Sequence, residues 1–209
     1  MLRPLGREFR QVPRPSTCAA ARRFACSATC RIALAVVLLG SGSACAAQAT
    51  ARQWASVYEL KAAFVYNVIP FIDWPEGAVG DRFIIGFAGE GPMAAALTIL
   101  FKEKRIALRP VEVRDVRTRD ELRGCNVLVL AYPDGSRTRE ALSQLRGTSV
   151  LTIGDGESFA RFGGVVAFVP HENTFQLAVN PRAAERAHLK ISSKLMSMTK
   201  LVPDEEGWK

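Results

Sequence analysis

The hydrophobic positions of this chain change period several times, and each change predicts an element. Between Trp54 and Ile72, Val57, Leu60, Phe64, Val65, Val68 and Ile69 recur at three- and four-residue spacing. That spacing predicts an amphipathic helix, which Pro70 ends or kinks. Phe83 to Phe87 is a short apolar run and predicts a buried strand; Met93 to Lys102 returns to helical spacing after Gly89-Glu90-Gly91-Pro92. Arg105 to Val116 alternates apolar and polar residues as a strand does, and Pro110 points to an edge or a bulge. Glu121 and Leu122 suit a short helical turn. Asn126 to Leu130 is an unbroken apolar run, the pattern of a central strand covered on both faces.

The second half repeats the alternation. A helix over Arg137 to Leu145 is followed by a strand over Ser149 to Ile153, the turn Gly154-Asp155-Gly156, and a short helix around Ser158 to Phe162. Val165 to Val169 and Thr174 to Val179 flank Pro170-His171-Glu172-Asn173 and predict a hairpin. Asn180-Pro181 fits a helix start, Asn as cap and Pro in the first turn, and Ala183 to Leu201 reads as one long amphipathic helix. Strands alternating with helices imply an α/β fold: a mainly parallel sheet flanked by helices, with a late antiparallel hairpin and a long C-terminal helix.

The first 49 residues follow another logic. Arg22, Arg23 and Arg31 precede the apolar run Ile32 to Gly40, and Ser41 to Ala49 supplies small residues, the order of an export signal. The apolar run is too short to span a bilayer, which needs about 20 residues. Residues 1–49 are therefore expected to be a signal peptide cut between about 44 and 50, with a working domain over 50–202 and a polar tail over 203–209. Gly42-Ser43-Ala44-Cys45 resembles a lipobox with Gly42 in the place of Leu, so acylation of Cys45 is the alternative to a plain cut. The expected location is the periplasm.

The leader changes how composition is read. The chain carries a net charge of +8, which by itself suggests a nucleic-acid partner. Seven of its 28 Lys and Arg but only one of its 20 Asp and Glu lie in the first 31 residues, leaving a domain near neutrality at about +2. No nucleic-acid partner is expected. Of five cysteines, Cys18, Cys26, Cys30 and Cys45 belong to the leader, and Cys125, at the mouth of the central strand, reads as a small buried hydrophobe.

Candidate chemistry is sparse. His171 and His188 belong to no metal pattern, and neither a nucleophile elbow nor a phosphate loop occurs. Gly86, Gly89 and Gly91 lack dinucleotide-binding spacing and read as a turn. No cofactor, metal or catalytic residue is expected. Asp155 and Glu157 follow a strand at its carboxyl end, where open sheets place ligands; they fit either acid–base work or helix capping. Gly89, Tyr132 and Asp155 fall at such strand ends and are the ligand-pocket candidates. Phe71, Trp74 and Pro75, just past the first helix, are the partner-binding candidates, since Trp is a frequent interface anchor.

Several short motifs occur together in one order. Leu60-Lys61-Ala62-Ala63-Phe64-Val65-Tyr66-Asn67 runs into Phe71 and Trp74-Pro75; Cys125-Asn126-Val127-Leu128 follows; then Val150-Leu151-Thr152-Ile153-Gly154-Asp155 with Phe159 and Gly163-Gly164. Phe175-Gln176-Leu177-Ala178-Val179-Asn180, Ala183-Ala184, Leu189-Lys190-Ile191-Ser192 and Lys194-Leu195 close the series. This order resembles the YfiR-like family of exported regulators. The resemblance implies a periplasmic α/β protein that binds and represses the periplasmic sensor domain of an inner-membrane diguanylate cyclase, lowering cyclic di-GMP and restraining biofilm growth. It also implies a homodimer, an outer-membrane peptidoglycan-binding lipoprotein as a further partner, and, for relatives fused to them, sensor kinases. The two disulfides of the best-known family member are not supported by the cysteines here. A periplasmic small-ligand sensor or carrier, and a hydrolase using Asp155 and Glu157, are the readings from other classes.

Overall fold

The computed structural model describes residues 57–172 and 174–204. The expected leader, Cys45, Trp54 and most of the polar tail lie outside these residues. Helix α1 covers residues 57–68 and passes into a 3₁₀ turn, Ile69–Phe71, where Pro70 falls in the first turn and its missing N–H costs nothing. The order continues β1 (Ile72–Asp73), β2 (Phe83–Gly89), α2 (Met93–Phe101), β3 (Arg105–Ile106), β4 (Arg109–Asp115), α3 (Arg119–Arg123), β5 (Val127–Ala131), α4 (Gly135–Gln144), β6 (Leu151–Asp155) and α5 (Glu157–Arg161). It ends with β7 (Val166–His171), β8 (Thr174–Val179), α6 (Pro181–Arg186), β9 (Lys190–Ile191), α7 (Ser193–Ser197) and β10 (Lys200–Leu201).

The main sheet has the order β10-β8-β7-β6-β5-β2-β4-β3. Its pairs are parallel from β7 to β4; β7 meets β8, and β3 meets β4, antiparallel. Alternate residues of each central strand enter opposite cores, as the pleat demands. Phe87, Val127, Val129 and Ile153 pack under α1 and α2, with Ala62, Val65, Leu97 and Phe101. Ala88, Leu128 and Leu130 pack on the other face against Leu122, Leu142 and Phe159 from α3, α4 and α5. The result is three layers, helices on both faces of a mainly parallel sheet, as the pattern predicts.

The expected strand over Arg105 to Val116 is a hairpin. Ala107 and Leu108 both take positive φ (48° and 67°), the two-residue turn that reverses the chain between β3 and β4. Val111 donates its N–H to Lys104 O (3.2 Å), so Pro110 falls where the ladder toward β3 asks nothing of its nitrogen.

The long C-terminal helix expected over Ala183 to Leu201 does not form. The helix stops at Arg186: His188 enters the left-handed region at φ 55°, its N–H is donated to Glu185 O (2.9 Å), and the N–H of Leu189 is donated to Ala184 O (2.9 Å). These two bonds are a Schellman cap. Lys190 and Ile191 then pair antiparallel with Asp73 and Ile72, and Ser192 caps the brief α7. Leu189 and Leu195, which supplied the helical spacing, are both buried, but from separate elements.

Candidate functional site

The chain leaves β2 toward β4 on one side and returns to β5 on the other, so the connections diverge between β2 and β5. Open α/β sheets bind ligands at such a switch point, outside the carboxyl ends of the strands. Here a crevice of about 600 Å³ opens at that place. Glu90 and Gly91 border it after β2, Tyr132 after β5, and Asp155 at the end of β6.

Gly89 sets how closely the two strands converge. Its φ is 139°, and a Cβ there would lie 2.4 Å from the carbonyl carbon and oxygen of Ala131. No side chain fits. The approach lets Glu90 donate its N–H to Ala131 O (3.2 Å). Gly89 thus shapes the crevice without lining it, while Tyr132 and Asp155 line it directly.

The helix α1 supplies the crevice's cation. Lys61 Nζ donates to Asp155 Oδ1 at 2.6 Å, with 16% of the lysine side chain and 56% of the aspartate side chain exposed. The same ammonium lies 5.7 Å from the centre of the Tyr58 ring and 5.5 Å from that of Phe168, both crevice residues. Aromatic faces attract a cation at that range. Arg137 lies over the Tyr132 ring at 5.4 Å. The crevice therefore offers aromatic walls, Ser158 and Thr138 as hydroxyl groups, and a lysine–aspartate pair.

Asp155 and Glu157 spend their charge on cations. Glu157 accepts from Arg161 (2.6 Å) and Lys200 (2.5 Å); the Lys200 ammonium and the Arg161 guanidinium hold its carboxyl below the usual range. A carboxylate so held stays ionised and is a weak proton acceptor. Asp155 does not cap α5 either: Gly156 occupies the cap position, with no side-chain bond.

Phe71, Trp74 and Pro75 sit at the opposite corner. The Trp74 indole meets the Phe83 ring edge-on (5.3 Å, 88°) and donates its N–H to Asn126 O (3.3 Å). Asn126 is buried, and its amide binds the Ile84 N–H (2.8 Å) and Ala78 O (3.0 Å), which ties the loop after Trp74 to the sheet. Phe71 is half-buried beneath Lys194, 5.8 Å from its ring centre, and Pro75 is exposed. Trp74 is thus held by the core on one side and lines a second, smaller apolar cavity on the other. Nothing in the sequence pattern announced that cavity, because its far wall comes from the β3–β4 hairpin.

His171 and His188 are exposed, on β7 and at the end of α6. Cys125 is buried, donates its Sγ–H to Glu121 O (3.2 Å), and burial pushes its thiol up to about 11. Among the described residues no cluster of three or more His, Cys, Asp or Glu is arranged for a metal, and no helix is long and apolar enough to cross a membrane.

Residues 58–200 match the family described as YfiR/HmsC-like, a stretch that runs from α1 to the first residue of β10. The chain belongs to the YfiR/HmsC-like family. No curated protein matches it at a significant level. Among solved structures it is similar to an ABC domain from Streptococcus pneumonia in complex with L-Trp, at 10% identity and a TM-score of 0.46. That match covers 70% of this chain and 60% of the other, so the chain spans less than two thirds of that protein's length.

Proposed function

We propose that this YfiR/HmsC-like protein is a non-enzymatic periplasmic regulator that binds the periplasmic sensor domain of a membrane diguanylate cyclase and represses it, lowering cyclic di-GMP. Family membership across residues 58–200 carries the reading. One feature of the geometry is in keeping with it: Asp155 and Glu157, the carboxylates at the end of β6, are both paired with neighbouring cations. Export by the N-terminal signal would bring the domain to the sensor's compartment. Deleting the gene is expected to raise cyclic di-GMP, measured by mass spectrometry of cell extracts, and expression of the exported chain to restore it. Unchanged cyclic di-GMP in the deletion strain would sink the cyclase as partner.

A second reading, a small-ligand sensor or carrier, is favoured by the crevice at the β2/β5 switch point. A ligand at 100 times its dissociation constant stabilises the folded state by about 2.7 kcal/mol, a visible thermal shift. A screen of amino acids, cofactor vitamers and muropeptides in which none raises the melting temperature would remove this reading.

A further inference from the structure

The second cavity, about 350 Å³, lies between the end of α1 and the β3–β4 hairpin. Buried Ile69, Ile72 and Phe83 form its floor, and Tyr66, Trp74 and Ile106 its walls. The indole N–H of Trp74 is already committed to Asn126 O, so the indole presents only carbon to the cavity. Arg105 and Arg109 stand at the rim, and among the described residues no carboxylate lines it. Among the described residues neither arginine forms an ion pair, and the Arg105 side chain donates to Leu108 O (3.0 Å). The switch-point crevice differs, because there Lys61 already has Asp155.

The surface beside the cavity extends this pattern. Leu108, at the hairpin tip, is 87% exposed. Among the described residues β3 is the last strand of the sheet. Its neighbour Lys104 receives the Val111 N–H, so by the alternation of an antiparallel ladder the N–H and C=O of Arg105 face away from β4. An unpaired edge of this kind accepts an extended chain, and a free small anion would leave it empty.

We infer that this cavity and the β3 edge are a docking site for an extended acidic segment of a partner protein, whose apolar side chain enters against Trp74 while its carboxylates meet Arg105 and Arg109. The inference rests on the proposed reading that the chain acts by contact with another protein, and it names the chemistry of that contact. Buried aromatic anchors flanked by charge pairs are the usual source of affinity and of orientation in such interfaces.

The test uses the full exported chain in cells, with Leu108→p-benzoylphenylalanine as a photo-cross-linker. The expected adduct carries an apolar residue flanked by Asp or Glu in the cross-linked peptide. Arg109→Glu is expected to reduce that adduct about tenfold, and Arg109→Lys to retain it, with melting temperatures of the purified variants confirming the fold. Adducts confined to second copies of this chain, adducts on basic or uncharged segments, or no adduct from folded exported protein would each overturn the inference. Cyclic di-GMP is measured in the same cells. An acidic adduct in a strain whose deletion leaves the nucleotide unchanged removes the cyclase and keeps the docking site; a responsive nucleotide without the adduct does the reverse.

Discussion

Lys61 and Asp155, 94 residues apart in sequence, meet at 2.6 Å and close one side of the crevice at the sheet's switch point. The pair joins α1 to β6, elements on different sides of the chain's midpoint, and its ammonium lies close to the centres of the Tyr58 (5.7 Å) and Phe168 (5.5 Å) rings. Its position is that of a polar latch beside the aromatic side of the recess. The aspartate is more than half exposed, so water screens the attraction.

A pair of this exposure contributes about 0 to 1 kcal/mol. Asp155→Asn is therefore expected to leave the urea midpoint within that range of the parent. A loss of several kcal/mol would mean that the lysine is far less hydrated than its geometry implies. The same variant, if the crevice takes a ligand, should change the ligand-induced thermal shift while leaving the unliganded melting temperature nearly constant.

Phe159 is held between two glycines. A Cβ on Gly164 would lie 2.1 Å from its ring, and one on Gly154 2.4 Å. Gly164→Ala is expected to destabilise the protein by about 1 to 3 kcal/mol through overpacking, since the ring is buried and bounded on its other side by Gly154. Phe159→Leu in the same chain should recover part of that loss. Equal urea midpoints for Gly164→Ala and the parent would show that the ring moves freely.

Cys125 should be inert in the folded state. Its thiol is pushed up to about 11, chiefly by burial. Ellman's reagent at pH 8 is expected to label it only as fast as the protein opens, and at full rate in urea. Linkage gives the alkaline side as well: a raised folded value contributes stability that is complete below the unfolded thiol value of about 8.5 and is lost as pH rises through 11. Cys125→Ala should therefore flatten the fall in melting temperature between about pH 8.5 and 11 relative to the parent.

On the acid side the carboxylates act in the opposite sense. Lys200 and Arg161 hold Glu157 below the usual range; the N–H groups of Arg117 and Thr118 do the same for Glu121 in its capping box. Burial pushes Asp204 up, but bonds from Arg186 and Asn180 outweigh it and leave it lowered. Their contribution is complete above the unfolded values, about 4, and is lost as pH falls through the lower folded ones. The melting temperature should hold from pH 7 to about 5 and drop below about 4, less steeply in Glu157→Gln. An unchanged acid slope in that variant would show that its ion pairs are open in solution.

Local pattern alone determined much of this protein. The apolar run Asn126 to Leu130 has the pattern of a strand covered on both faces, and the strand Val127–Ala131 forms there; the cap at Asn180 was written in Asn-Pro, and its side chain accepts the N–H of Ala183 (3.0 Å). The pocket residues Tyr132 and Asp155 were legible because the carboxyl ends of parallel strands share one side of a sheet, whatever the strand order. The capping box at Thr118 and Glu121 was present in the letters too, and marks a helix start more firmly than the hydrophobic spacing there. The tertiary structure decided the rest. Leu189 and Leu195 keep helical spacing, yet the chain breaks at His188 because Lys190 and Ile191 gain a partner strand at Ile72 and Asp73. Spacing reports only which residues seek burial; which element buries them depends on neighbours distant in sequence. The cavity beside Trp74 is of the same kind, since a floor from the 3₁₀ turn, β1 and β2 and a rim from the β3–β4 hairpin become one site only when the sheet brings β4 against β2.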